Sequence, residues 1–494
     1  MVLLCLVVVA VILIFQFNQL KNKKFPPGPV CFPIVGSILS VGFDLKAAFI
    51  RLNTQYGPIV GFKLGNQLSV VISDFDMLNE AFKDYRFCGR PTNLQKVFSA
   101  FFTKNKNENS SGGIVFSHGD HWREQRRFAI RTLKEFGVGK SNFQNIIHEE
   151  VVKLVEELKE ETNRPINLKF RTNLAVVNSL WQILNGEKSD MKNPKMERVF
   201  RSAADFIVKN NIAGPLMIMP WLRHLPYFNS KFEQARQSLQ ETRELTSECI
   251  KRHMDSFDED HQRDFIDCYI RKMKATSDEK SSFYKIQGEE NIQRTVADLF
   301  GAGSETTASV LTLAFNYLTR YPEIQSTIHE EIDSVIGSRM PLIEDRPFLP
   351  YTNAFIHEVL RHAYIIYTTP HATTEDVEFH GYTLPKGTVV YANVSFIMND
   401  PEYWHKPEEF NPARFIDDNG QFRKDERCIP FLLGKRYCLG EHLAQQEVFL
   451  FLSGLLQSFS FSTSLEHHCL VNIEPVVGFM HSCPDYTVIL KRRF

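Results

Sequence analysis

Phe431-Leu-Leu-Gly434-Lys-Arg436-Tyr-Cys438-Leu-Gly440 places one cysteine between two glycines, with an arginine two residues upstream and a phenylalanine seven upstream. With 41 Phe, 25 Gly and 9 Cys in 494 residues, that spacing is expected by chance on the order of 10⁻⁴ times. Each residue type has a task if Cys438 binds iron as a thiolate. The glycines let the backbone turn tightly and bring amide N–H groups up to the sulfur. Arg436 offers a fork of donors to a porphyrin carboxylate, and Phe431 shields the thiolate. A buried structural cysteine in a Gly-rich turn explains neither Arg436 nor Phe431, so the iron ligand is the preferred reading.

On this decapeptide the chain resembles the cytochrome P-450 family of haem-thiolate monooxygenases, and is most similar to its microsomal branch. The resemblance implies the family's mainly α fold with small β-sheets, a haem b (iron protoporphyrin IX) cofactor and a single catalytic domain. One residue departs from the pattern: Leu432 stands where the family more often has a small residue.

Ala302-Gly303-Ser304-Glu305-Thr306-Thr307 lies inside an apolar helical pattern running from Val296 to Leu318. Glycine in a helix interior costs about 1 kcal/mol relative to alanine. Here Ala302 and Gly303 are expected to remove bulk so that haem, O₂ and substrate can approach the backbone. Thr306 supplies a hydroxyl for oxygen activated opposite the thiolate, and Glu305 an acid that relays protons from water. Gly301-Ala-Gly303 begins a dinucleotide fingerprint, but its third glycine position is Thr306 and no strand signal precedes it. Electrons must therefore come from a partner.

Glu358-Val-Leu-Arg361 puts an acid and a base on one helix face. The resemblance pairs them with Arg414 of Phe410-Asn-Pro412-Ala-Arg414-Phe415 in a buried ion network that supports haem binding. Such a network is acceptable only if every charge is paired. Ala413 stands where an acidic residue is common. His357-Glu358 is not a zincin motif, because the position four residues after His357 is Arg361.

The haem propionates need donors. Trp122 and Arg126 share one helix face, His371 and Arg436 match the family's propionate-contacting positions, and Arg90 is a further candidate. Arg123, Arg127, Arg131, Lys134, Lys424, Arg427 and Lys435 are expected to form a positive surface that docks an acidic NADPH–cytochrome reductase, with cytochrome b5 a second candidate donor. By the same resemblance the ligand pocket draws on residues 92–112, Ile207, Ala297, Phe300, Ala302, Thr306, Ile365-Ile366-Tyr367 and Val477 to Met480. These are mainly apolar, so the substrate should be lipophilic: a steroid, fatty acid or xenobiotic. A haem-thiolate isomerase of lipid peroxides would not need the Glu305–Thr306 pair. A non-catalytic haem carrier or gas sensor would not need a lipophilic pocket.

A net charge of −1 gives no support to a nucleic-acid partner, and nine irregularly spaced cysteines do not read as a disulfide framework. Val2 to Phe15 are uninterrupted apolar, with weaker hydrophobicity to Leu20, about enough to span a bilayer. Lys21, Lys23 and Lys24 follow and favour the cytosolic side. The expected organisation is a signal-anchor at 1–20, a basic and proline-rich linker at 21–33 and a catalytic domain at 34–494. The location implied is the endoplasmic reticulum membrane with the catalytic body on its cytosolic face. A cleaved secretory peptide is the runner-up.

The periodicity predicts helices at 121–135, 143–162, 170–185, 230–256, 290–320, 322–336 and 348–362. It predicts a hairpin of Ile59 to Leu64 and Leu68 to Ser73, and further strands at 377–391 and 474–491. Residues 92–112 read as a mobile loop.

Overall fold

The computed structural model describes residues 24–102, 112–136, 141–188, 198–199, 201–202, 214–463, 474–475, 480–483 and 486–493. The expected anchor at 1–20, Lys21 and Lys23 of the linker, Ile207 and Val477 to Phe479 lie outside them.

Among the described residues there are twelve helices of nine residues or more. They are α1 (Leu45–Tyr56), α2 (Phe75–Lys83), α3 (Thr92–Phe102), α4 (Gly119–Glu135), α5 (Ser141–Lys159) and α6 (Leu168–Asn185), then α7 (Pro226–Asp255), α8 (Phe265–Lys274), α9 (Lys285–Arg320), α10 (Pro322–Val335), α11 (Pro350–Ala363) and α12 (Glu441–Ser458). Proline at the first turn starts α7, α10 and α11, where its missing N–H costs nothing. Helix α9 is the axis of the molecule. Its residues 307–318 are buried on every side, packed against α6 and α12. In α12, residues 446–456 are likewise buried all round.

The strands are short: β1 (Ile59–Leu64), β2 (Gln67–Ile72), β3 (Pro165–Ile166), β4 (Pro370–Ala372), β5 (Val377–Phe379), β6 (Tyr382–Leu384), β7 (Val389–Ala392), β8 (Phe459–Ser462), β9 (Glu474–Pro475), β10 (His481–Ser482) and β11 (Val488–Arg492). The main sheet runs β1-β2-β7-β4, with β2 parallel to β7 and the other pairs antiparallel. The fold is mainly α with small sheets, as the resemblance implied.

The predicted helices are present with ends shifted by a few residues. Three differences have physical reasons. The loop expected at 92–112 is helical from Thr92 to Phe102, because Leu94, Val97 and Phe101 recur at helical spacing and pack against Leu216, Met217 and Phe232. The hairpin turn is only Gly65-Asn66, so β2 starts at Gln67, paired with Leu64. Helix α12 carries no helical periodicity in sequence because all its faces are buried.

The Glu358–Arg361–Arg414 network forms as expected. Arg361 donates Nε to Glu358 Oε2 at 2.7 Å and Nη2 to Oε1 at 2.9 Å, and both residues are fully buried. Its remaining N–H groups reach the Met398 and Pro407 carbonyls, each at 2.9 Å. Arg414 Nε and the Asn411 backbone N–H complete the Glu358 carboxylate at 3.0 and 2.9 Å. Each charge meets an opposite one, with both guanidiniums sharing the Glu358 carboxylate. Glu358→Gln should therefore strand Arg361 as an uncompensated buried cation and destabilise the fold by about 3–5 kcal/mol. The midpoint of urea unfolding measures this, and an unchanged midpoint contradicts it.

Candidate haem-thiolate site

The cysteine loop is held from two sides. The Cys438 N–H donates to the Phe431 carbonyl at 2.9 Å, closing the loop on itself. Gly434, at φ +71°, lies against α2, and a Cβ there would sit 1.9 Å from the Phe82 carbonyl oxygen. This glycine is demanded by close backbone approach rather than by the sulfur. Leu432 has φ +62°, the left-handed region, which costs a leucine roughly 1–2 kcal/mol. That strain is a physical reason for preferring glycine there.

Cys438 lies three residues before α12, whose N-terminus favours negative charge. Its sulfur is accessible only because it opens onto an internal cavity of about 320 Å³. Burial pushes the Cys438 thiol up, while a hydrogen bond from the Gly440 backbone pulls it back towards the thiolate. A metal cation would supply what remains of the cost of ionising it.

The cavity wall also carries Ala302, Thr306, Ile365, Ile366, Phe431 and Arg436. Thr306 Oγ1 donates to the Ala302 carbonyl at 2.7 Å, and both residues face the cavity. Gly303 also borders the cavity, whereas Glu305 does not. Glu305 is buried behind α9, accepting from Asn173 Nδ2 of α6 at 2.8 Å and from Ser309 Oγ at 3.4 Å. In this conformation it does not line the cavity, so the expected acid lies on a different face of α9 from the space it would serve. At Gly303 an added Cβ would lie 2.6 Å from Leu180 Cδ2, so the missing side chain lets α9 approach α6. Phe300 is packed edge-on to Trp181, and Tyr367 belongs to the cluster under β7.

Four cationic or donor side chains converge on one edge. Arg436, buried, donates to the Cys88 carbonyl at 2.7 Å and the Ser117 carbonyl at 2.6 Å, with its guanidinium 4.1 Å from the Trp122 ring centre. Arg126 donates to the Tyr437 carbonyl at 2.6 Å. Arg90 donates to the carbonyls of Val115 and Pro370 at 2.8 and 2.7 Å. His371 stacks on Phe82 at 3.9 Å, and neither ring nitrogen makes a hydrogen bond of good geometry among the described residues; the nearest candidate is the Phe87 backbone. Burial first, then the neighbouring arginines, hold Arg436 and His371 well below their usual values, and burial pushes Arg90 down to about 10. Among the described residues no carboxylate forms an ion pair with Arg90, Arg126 or Arg436. A donor set of three guanidiniums, held only by neutral carbonyls beside a cysteine sulfur, fits a haem with its two propionates.

Sequence reasoning missed Asp298, one turn before Ala302. Its Oδ2 accepts from the Ile114 and Val115 N–H groups at 2.7 and 2.9 Å, clamping that loop onto α9 at the cavity wall. A lone acid within the apolar run Val296-Ala-Asp298-Leu-Phe300 was the available signal.

The outer face of α4 forms a basic groove lined by Arg123, Arg127, Arg131, Lys134 and Lys435. Two residues expected there sit elsewhere: Lys424 faces Glu441 at 3.7 Å, and Arg427 lies 3.7 Å from Asp400 and 4.2 Å from the Tyr403 ring centre.

A family model described as cytochrome P450 matches residues 26–489. The chain is 34% identical over 479 residues to Cytochrome P450 2C25 of Mesocricetus auratus, covering 94% of each chain. It is 34% identical over 501 residues to Cytochrome P450 2C29 of Mus musculus, covering 98% of each. With Cytochrome P450 2J3 of Rattus norvegicus it shares 34% over 487 residues, covering 95% of this chain and 94% of the other.

Burial pushes the Asp298 carboxyl up to about 6 from 3.8, against the pull of its two backbone donors. The folded state therefore binds an extra proton between those values, and Asp298 makes stability fall as pH rises through that window. Asp298→Asn keeps an acceptor for the loop but cannot ionise. Relative to wild type, its unfolding free energy should improve between pH 3.8 and about 6 and stay level above; equal pH profiles for the two proteins contradict this.

Proposed function

This chain belongs to the cytochrome P450 family, a haem-binding monooxygenase, and we propose that Cys438 ligates the iron and that a lipophilic molecule is hydroxylated in the cavity it shares with Thr306. The observation that carries this reading is that shared cavity: residues more than 130 positions apart in sequence line one apolar space. When bound, haem supplies oxygen activation from O₂ and two electrons, helped by thiolate electron donation. The protein does the rest. Arg90, Arg126, Arg436 and His371 hold and orient the propionates, with Trp122 packed between Arg126 and Arg436. Thr306 presents a hydroxyl to the oxygen side, and Ala302 keeps that approach open. Leu180, Leu299, Val310, Ile365 and Ile366 exclude water and favour an apolar substrate such as a steroid, fatty acid or xenobiotic. Glu305 relays protons only after leaving Asn173, by a rotation about its own side-chain bonds.

Electrons are proposed to come from NADPH through a flavoprotein reductase, or from cytochrome b5, docked on the α4 groove. Arg123 and Arg131 are partly neutralised there by Asp120 and Glu135, at 2.7 and 2.8 Å. Arg127, Lys134 and Lys435 form no ion pair among the described residues, and they carry the free positive charge.

From the resemblance to the microsomal branch we infer attachment to the endoplasmic reticulum membrane through the anchor at 1–20 with the body on the cytosolic side. Among the described residues no helix is long and apolar enough to cross a membrane. Support comes from exposed apolar side chains just after the linker: Ile34 is 79% and Leu39 75% exposed. Nearby, Ile218 and Met219 join Ile38 and Val41 in one cluster, and the exposed Trp221 and Tyr227 follow them. This face suits the surface of a bilayer.

Cys438→Ser should abolish the red-shifted Soret band of the reduced carbon monoxide complex together with turnover. Thr306→Ala should keep that band but divert electrons to hydrogen peroxide. A thiolate-type spectrum in Cys438→Ser protein would sink the assignment. Reversing charge with Arg127→Glu and Lys435→Glu should slow reduction by NADPH and reductase at least tenfold at low salt, with less effect at high salt. An unchanged rate beside an intact spectrum would place docking elsewhere.

A further inference from the structure

Glu447 lines the same cavity as Cys438 and Thr306, yet nothing above uses it. It sits in the middle of α12, 1% exposed. Its hydrogen-bond partner among the described residues is Ser179 of α6, with Oε1 2.6 Å from Oγ. Ser179 Oγ is also 2.7 Å from the Val176 carbonyl oxygen of its own helix. A serine hydroxyl has one hydrogen for those two oxygens, and a carbonyl cannot donate. Both contacts are filled only when Ser179 donates to Val176 and a protonated Glu447 donates to Ser179.

No cation offsets an ionised Glu447. Among the described residues it makes no ion pair, and the charged groups on the elements around α12 are engaged by others. Glu150 of α5 is held by Lys153, Glu305 of α9 by Asn173 and Glu358 of α11 by Arg361. Asp298 of α9 is held by backbone N–H groups, Arg346 by Asn353 and by Gln445 of α12 without an ion pair to Glu447, and Glu441 at the start of α12 lies 3.7 Å from Lys424. His329 of α10 is pushed down to about 4 by burial, so it stays neutral near pH 8. Burial pushes the Glu447 carboxyl up to about 8, with only Ser179 pulling it the other way.

We propose that Glu447 is a proton-holding group of the haem pocket, whose uptake of one proton accompanies entry of one electron. The inference rests on haem binding beside Cys438. An electron delivered by the reductase makes the pocket one charge more negative, which disfavours a second buried negative charge. An ionised Glu447 then takes one proton from solvent, COO⁻ + H⁺ giving COOH, and no bond of the haem changes. Where Glu447 is already protonated, the electron enters with no proton coupled to this site. Above its titration point the pocket is harder to reduce.

The test is the midpoint potential of the purified haem-loaded protein, measured by spectroelectrochemistry from pH 6.5 to 9.5. The carbon monoxide spectrum of the same sample first establishes thiolate ligation, so loss of that spectrum reports on Cys438 and not on Glu447. The wild type should be level at low pH and bend near pH 8 towards a fall of at most ~59 mV per pH unit, the one-electron value for a tenfold change. Glu447→Gln should remove the bend. A wild type without a bend, or a Glu447→Gln protein with the same bend, overturns the proposal. Because Glu447→Gln could fail to load haem, reduction-induced infrared difference spectra of the wild type at pH 8.5 give a second reading. A protonated-carboxyl band that grows on reduction supports the proposal, and its absence overturns it.

Discussion

One buried carboxylate, Glu358, holds two guanidiniums, and the region around the cysteine loop is organised on that pairing. Taking three charges out of water costs several kcal/mol per ion, offset only when geometry and hydrogen bonding are complete. Completion here uses carbonyls from Met398 and Pro407 and the amide of Asn411. These groups all lie on the irregular stretch between β7 and the cysteine loop. That stretch has almost no regular secondary structure to position it. The demand that each guanidinium N–H find an acceptor fixes its path against α11, and with it the approach of the chain to Cys438.

The haem edge follows the opposite rule. Arg90, Arg126 and Arg436 are satisfied by carbonyls but not neutralised, so the site carries an excess of positive charge that suits a dianionic macrocycle. Helix α4 links this edge to the surface. Trp122 and Arg126 border both the cavity and the outer groove, while Arg123, Arg127, Arg131 and Lys134 line the groove alone. Redox-partner docking and haem anchoring thus share one rigid element.

Helix α9 shows how finely helical geometry divides neighbouring residues. Successive side chains are about 100° apart. Ala302 and Thr306, four residues apart, therefore share the cavity face. Glu305 and Gly303 are turned towards α6, the one to a hydrogen bond with Asn173, the other to contact with Leu180. The motif as a string treats Glu305 and Thr306 as a pair, but the helix places them on different faces.

The decapeptide around Cys438, the apolar run through Thr306 and the Glu358–Arg361 spacing were enough to point to family and cofactor, and hydrophobic periodicity to most helices, because each is a local pattern with a local physical cause. Other features depended on which surfaces meet. Helix α12 is invisible to periodicity because every face is covered, and the helix at 92–102 emerges once residues 216, 217 and 232 arrive to cover it. Lys424 and Arg427 look basic in sequence but are drawn to Glu441 and Asp400. The clamp made by Asp298 and the hydrogen bond between Glu447 and Ser179 join segments 183 and 268 residues apart. Hydrogen bonds and burial of that kind have no sequence period, so only the packed chain could decide them.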